Sequence, residues 1–123
     1  MNKKGEVFVR LGQYDDAVKC YDKSLEIDYN NPAIWCNKGN LLYILKRYKR
    51  AIECYDKALE IDAYFAKAWY NMGNAFYCLG DYEKAIHCYD SLLTIEPTNT
   101  YGAYYRDSAL KNLRKKSYAS VEE

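Results

Sequence analysis

Two amphipathic helices are predicted by residues 69–97, which read WYNMGNAFYCLGDYEKAIHCYDSLLTIEP. In each half, apolar or small residues recur every three or four positions, which places them on one face of a helix. These residues are Trp69, Met72, Gly73 and Phe76 in the first helix, and Tyr82, Ala85, Ile86, Tyr89, Leu92 and Leu93 in the second. A Gly80-Asp81 break separates the halves, so the stretch predicts a helical hairpin.

The same pattern occurs upstream at a constant shift of 34 residues. Many series of like residues share this shift, which is very unlikely to arise by chance. They are Trp35 and Trp69; Gly5, Gly39 and Gly73; Phe8, Leu42 and Phe76; Ala17, Ala51 and Ala85; Cys20, Cys54 and Cys88; Tyr21, Tyr55 and Tyr89; and Ile27, Ile61 and Ile95. Such a period indicates stacked copies of one unit, each burying its apolar face against its neighbours.

The run Trp69, Met72-Gly73, Phe76, Ala85, Tyr89 and Pro97 resembles the tetratricopeptide repeat. The resemblance covers residues 1–99 and implies an all-α fold, a right-handed superhelical solenoid of antiparallel helix pairs. Met1 occupies the place of the tryptophan, so the chain either begins inside a repeat or belongs to a longer array. The predicted units are a truncated repeat at 1–31, repeats at 32–65 and 66–99, a capping helix at 100–116 and a frayed tail at 117–123.

Local sequence signals predict where the second unit begins and the conformation of the turn between its two helices. Asn31 is a favourable N-cap, and Pro32 suits the first helical position because its missing N–H leaves no hydrogen bond unmade. Lys46 stands where Gly80 stands in the next unit, so this turn has to bend without glycine, at a small cost. Lys38 replaces the apolar Met72, and we expect its stem to pack while its ammonium group reaches water.

The predicted helix at 100–116 is expected to pack on the helix before it differently from the way the earlier repeats pack on each other. Leu92 occupies a position that is small in the earlier units, where Ser24 and Ala58 stand, so the helix that follows has to approach differently. Resemblance to the family's solvating C-terminal helix implies that the inner face of 100–116 covers the last repeat. Its expected apolar contacts are Tyr101, Tyr104, Tyr105, Leu110 and Leu113.

Composition excludes several classes of function. The net charge of the 123-residue chain is +1, which recommends neither nucleic acid nor an anionic membrane as a partner. The basic residues Lys111, Arg114, Lys115 and Lys116 have two interpretations, a nucleic-acid patch or the cations expected near a helix C-terminus from the dipole alone, and we favour the second. No apolar run is long enough to span a bilayer, and no secretory signal begins the chain. We expect a cytoplasmic protein without nucleic-acid or membrane partners.

The cysteines predict packing rather than chemistry. Their number is five and no C-x-x-C pair occurs, which argues against a disulfide framework and a zinc site. Cys20, Cys54 and Cys88 share one repeat position and are interpreted as small buried hydrophobes. His87 is the single histidine, and a catalytic cysteine would need a base oriented by a third group. We therefore expect no enzyme activity, metal or cofactor.

The resemblance implies that the first helix of each pair lines a concave groove. Groove positions within a unit fall three, four or seven residues apart and share a helix face. In the first unit these positions are Asn2, Glu6, Val9 and Arg10. The second unit has groove positions at Ala33 and Ile44 among others, and the third has one at Cys78. The predicted peptide-binding residues are Cys36, Asn37, Asn40, Tyr43, Lys67, Tyr70, Asn71, Asn74 and Tyr77. Asparagine amides match the N–H and C=O groups of an extended peptide, or they serve packing only.

The chaperone-adaptor branch of this family holds a partner's C-terminal carboxylate with lysine, asparagine and arginine side chains. The corresponding positions are Asn2, Glu6, Asn37, Lys67 and Asn71. Only Asn37 and Lys67 agree with that clamp, and Glu6 would repel a carboxylate. The sequence therefore disfavours binding of chaperone tails.

The predicted function is a protein-interaction scaffold or adaptor that binds an extended peptide or helix of a partner in the groove. A second possibility is a homo-oligomer formed through the uncovered first repeat, whose exposed face would include Val7 and Leu11. A third possibility is that the sequence is a fragment of a larger repeat scaffold. No phosphate-binding loop or paired acids support an enzyme.

Overall fold

Helices form almost all of the described chain. The computed structural model describes residues 13–122, with side chains up to residue 118. Its helices are α1 (Tyr14–Ile27), α2 (Pro32–Ile44), α3 (Tyr48–Ile61), α4 (Ala66–Cys78), α5 (Tyr82–Ile95) and α6 (Thr100–Glu122). Each helix packs on the next in sequence, and α2 also contacts α4. The predicted all-α solenoid of helix pairs is confirmed. The expected helix at residues 2–11 lies outside the described residues.

The predicted signals for the second unit match the local structure. Asn31 precedes α2, and its side-chain oxygen accepts a hydrogen bond of 3.1 Å from the backbone N–H of Ala33. Lys46 adopts a φ of +62°, close to the +77° of Gly80 in the equivalent turn. A lysine therefore holds the left-handed conformation that glycine adopts freely. Lys38 differs from the expectation, since its Nζ lies 2.7 Å from Asp22 and forms an ion pair.

A glycine and a tyrosine lock each helix pair together. Tyr55 and Tyr89 are completely buried, and each ring lies against a glycine of the preceding helix. A Cβ atom on Gly39 would come within 2.6 Å of the Tyr55 ring, and one on Gly73 within 2.7 Å of the Tyr89 ring. Only a residue without a side chain permits this approach, which explains both glycines.

The two tryptophans also repeat their contacts. The indole Nε1 of Trp35 donates a hydrogen bond of 2.8 Å to the carbonyl of Tyr29, and that of Trp69 donates one of 2.8 Å to the carbonyl of Ala63. Both indoles are only partly buried. Each tryptophan thus ties its helix to the loop that leads into it.

The junction between α5 and α6 follows from the size of Leu92. A Cβ atom on Gly102 would lie 2.8 Å from Cδ2 of Leu92, so a glycine on α6 makes room for the larger side chain. The expectation that Tyr101 and Tyr104 pack on the last repeat is wrong, because they are 70% and 65% exposed. Gly102 and Ala109 are buried there instead.

The last helix is longer than predicted. It continues to Glu122, past the expected end at Lys116, so residues 117–122 are helical rather than a frayed tail. The physical reason is that SYASVE contains neither glycine nor proline, so nothing in this segment terminates a helix.

Candidate functional site

Predicted groove residues of α2 and α4 lie side by side. The amide nitrogen of Asn71 donates a hydrogen bond of 3.0 Å to Oδ1 of Asn40, and the Tyr43 hydroxyl lies 3.3 Å from Sγ of Cys78. Both contacts join residues that are about one repeat apart. We use the name groove face for the surface formed by Asn37, Asn40, Tyr43, Lys67, Tyr70, Asn71, Asn74 and Tyr77. The predicted groove positions of the first unit, Asn2, Glu6, Val9 and Arg10, lie outside the described residues.

The two equivalent asparagines use their oxygens inside the protein. The hydroxyl of Tyr55 donates to Oδ1 of Asn40 at 2.8 Å, and that of Tyr89 donates to Oδ1 of Asn74 at 2.6 Å. Each asparagine is partly exposed, and its side-chain NH2 group has no acceptor among the described residues. Asn40 and Asn74 therefore hold the buried tyrosines. Asn40 accepts a second hydrogen bond from Asn71 and retains only donors for a ligand, whereas Asn74 retains its donors and one lone pair of Oδ1.

Cys36 differs from the other predicted groove residues. It is only 2% exposed, and the amide of Asn71 reaches its Sγ at 3.9 Å. Burial raises the pKa of the Cys36 thiol above its usual value of 9.0. Its side chain supports the groove face from beneath instead of forming part of the surface.

Two predicted residues present unoccupied polar groups to solvent. Lys67 is exposed and Asn37 is partly exposed. Neither makes an ion pair or a side-chain hydrogen bond with any residue in the described range. Because they support no other side chain, they can engage a ligand without disturbing the fold.

The groove face continues onto α6, which the sequence analysis missed. The ring of Tyr105 lies 6.3 Å from that of Tyr70 and 6.4 Å from that of Tyr77, measured between centroids. Asn112 also donates a hydrogen bond of 2.7 Å to the Tyr77 hydroxyl. A shift of 34 residues from Asn71 gives Tyr105, and the same shift from Cys78 gives Asn112, so the repeat register could have revealed these residues.

A small cavity of about 120 Å³ opens among the tyrosines. Its walls are formed by Tyr43, Asn74, Tyr77, Cys78, Tyr89 and Tyr105. This volume suits one side chain rather than a small-molecule ligand. The cavity can take up a single residue of a bound peptide.

Two of the thiols, those of Cys54 and Cys88, are placed for packing. Burial raises the pKa of Cys54 to about 11 and that of Cys88 to about 12. Both thiols therefore stay protonated at neutral pH and are poor nucleophiles. In the part of the chain that the structure describes, no cluster of three or more His, Cys, Asp or Glu side chains could bind a metal ion. None of the helices within residues 13–122 has the length and apolar composition of a membrane span.

Family models establish the class of protein. The tetratricopeptide repeat model matches residues 66–99, and a second repeat model of the same family matches residues 5–44 and 39–80. The chain belongs to the tetratricopeptide repeat family. No curated protein sequence matches it at a significant level.

Solved structures of the family are similar over nearly the whole chain. The first repeat domain of Spaghetti (RPAP3), bound to the HSP90 peptide SRMEEVD, is 26% identical with a TM-score of 0.88, and the match covers 92% of this chain and 90% of that one. The first domain of human RPAP3 is 26% identical with a TM-score of 0.89, covering 95% and 92%. The Sgt2 domain from Aspergillus fumigatus is 19% identical with a TM-score of 0.88, covering 95% and 79%, and supports the fold alone.

Proposed function

We propose that this protein is an interaction scaffold that binds an extended peptide of a partner protein along the groove face. The observation that carries the proposal is the alignment of α2, α4 and α6. Asn71 bridges to Asn40, and Asn112 bridges to Tyr77, so polar and aromatic groups of three helices form one surface. Related domains that bind peptides support the same use of the fold.

The groove face is suited to a peptide that offers acceptors. The free amide N–H groups of Asn40 and Asn74 and the ammonium group of Lys67 are donors, and the tyrosines add flat apolar area with little rotamer entropy to lose. Each net hydrogen bond contributes about 1 kcal/mol. With some aromatic burial, a total near −8 kcal/mol corresponds to a Kd of about 1 μM.

The chaperone peptide SRMEEVD is a useful probe because a related domain binds it. Of the described clamp positions, Asn37 and Lys67 are free, whereas Asn71 already donates to Asn40. We expect SRMEEVD to bind more weakly than a peptide selected for this groove. The enzyme alternative gains no support from the buried, protonated thiols.

The test selects peptides from a displayed library of random 12-residue sequences and measures the best one by calorimetry. The variant Asn37→Ala with Lys67→Ala should weaken binding at least 10-fold, about 1.4 kcal/mol, without unfolding the protein. A charge-matched control, Lys57→Ala on the exposed side of α3, should change the Kd less than 2-fold. Equal weakening by both variants, or failure to select any peptide, would refute the proposal.

A further inference from the structure

The segment that joins α2 to α3 carries a charge opposite to that of the equivalent segments in the other two units. Residues 46–50 read KRYKR, whereas the equivalent segments at 12–16 and 80–84 read GQYDD and GDYEK. We name residues 46–50 the basic turn. Arg47 pairs with Asp15 at 3.3 Å, but Lys46, Lys49 and Arg50 form no ion pair with any residue the structure describes. Three unopposed cations therefore lie close together in a chain whose net charge is only +1.

The residues of the basic turn are less favourable for stability than their equivalents. Lys46 holds a φ of +62° where Gly80 stands in the next unit. Lys49 lies in the first turn of α3, where the helix dipole favours acidic residues such as Glu83 of α5. Arg47 provides no side-chain cap, whereas Asp81 caps α5. Residues that conflict with local stability at several adjacent positions are typical of functional sites.

The shape beside the basic turn complements its charge. An open depression of about 280 Å³ is lined by residues 46–50 and by Leu79, which is 42% exposed. Cations therefore surround an apolar floor. The ring of Tyr48 already packs edge-on against Tyr43, with centroids 5.3 Å apart, and is only partly exposed. Sites for single-stranded nucleic acids combine a cationic groove with aromatic faces open for stacking, and because the Tyr48 ring is already packed, this site suits a protein segment better.

We infer that the basic turn and Leu79 form a second docking site, which binds an acidic segment of a partner protein containing an apolar residue. The carboxylates pair with Lys46, Lys49 and Arg50, and the apolar side chain covers Leu79. Clustered cations give such a site a fast, salt-sensitive association rate. The site adjoins the groove face, because Tyr48 packs on Tyr43, but its cations and Leu79 are not groove-face residues, and it does not depend on the peptide proposed there.

The experiment uses a fluorescein-labelled peptide of eleven glutamates with one central leucine, measured by anisotropy. The variant Lys46→Gly with Lys49→Glu introduces the residues found at the equivalent positions of the third unit, Gly80 and Glu83, and changes the net charge by −3. Binding should weaken at least 10-fold, while the midpoint of urea unfolding stays the same or rises. Leu79→Ser should weaken binding at least 3-fold.

Controls separate this site from general electrostatics and from the groove. Lys111→Gln, Arg114→Gln and Lys115→Gln also change the charge by −3, but on α6, and should weaken binding less than 3-fold. Asn37→Ala with Lys67→Ala removes one charge and should weaken binding of the acidic peptide less than 2-fold. Equal losses in the two charge variants would overturn the inference. Tighter binding of a 12-residue oligodeoxythymidine than of the peptide would also overturn it, in favour of nucleic acid.

Discussion

Replacing Gly73 with alanine should destabilise the protein, although alanine is the better helix former. A Cβ atom at this position would lie 2.7 Å from Cε1 and 3.0 Å from Cδ1 of the Tyr89 ring. The ring cannot easily move away, because Tyr89 is fully buried and its hydroxyl is held by Asn74 at 2.6 Å. Either α4 and α5 separate or the hydrogen bond lengthens.

The expected magnitude is the sum of three contributions. Overpacking a filled core costs about 1 to 3 kcal/mol. Weakening the Tyr89–Asn74 hydrogen bond adds about 1 kcal/mol. The higher helix propensity of alanine offsets about 1 kcal/mol. We therefore expect the free energy of unfolding to fall by about 2 kcal/mol.

Urea unfolding monitored by circular dichroism measures this change. Gly102→Ala is the matched control, because its Cβ would come within 3 Å of a single atom, Cδ2 at the end of the Leu92 side chain, at 2.8 Å, and should cost less than Gly73→Ala. In a Tyr89→Leu background the penalty of Gly73→Ala should disappear, since the ring is gone. An unchanged or higher stability of Gly73→Ala in the wild-type background would refute the reasoning.

Three further changes test other parts of the fold. Lys46→Gly should raise the free energy of unfolding by about 1 kcal/mol, because glycine adopts the observed positive φ without strain; a loss of stability in urea titrations would contradict this. Trp69→Ala should cost about 3 kcal/mol, the low end for a large core deletion because the indole is only partly buried, and Trp69→Phe should cost less in the same assay. Stability should also fall as the pH rises above 9. The folded protein keeps the Cys54 and Cys88 thiols protonated to about pH 11 and 12, whereas the unfolded chain releases those protons at about 9.0. The free energy of unfolding should fall by up to about 1.4 kcal/mol per pH unit for each thiol. In the Cys54→Ala, Cys88→Ala variant this free energy should decline less steeply with pH; identical slopes in the two proteins would argue against the mechanism.

The repeat architecture could be predicted from the sequence because its main determinants are local or periodic. The 34-residue register of tryptophan, glycine and tyrosine identifies the helix pairs, and Asn31 with Pro32 marks the start of α2. These features depend on propensity and on faces that recur in each unit. They need no knowledge of which residues meet at a distance.

The partners of individual side chains could not be predicted in the same way. Asn40 was predicted as a groove residue, but periodicity does not reveal that its oxygen accepts the Tyr55 hydroxyl, because helical rotation and ring depth decide that contact. Cys36 shares the groove register and is nevertheless buried beneath Asn71. Ligand contact by the groove residues remains a prediction.

The pairing of Leu92 with Gly102 limits how the solenoid can be engineered. At the preceding junction the equivalent residues are Ala58 and Ala68, both completely buried. A duplicated second unit inserted before α6 would end in alanine at the position of Leu92 and leave an unfilled space opposite Gly102. The repeat units are therefore not interchangeable at the junction between α5 and α6. In an extended array, the unit before α6 would have to keep leucine at the position of Leu92 as the partner of Gly102.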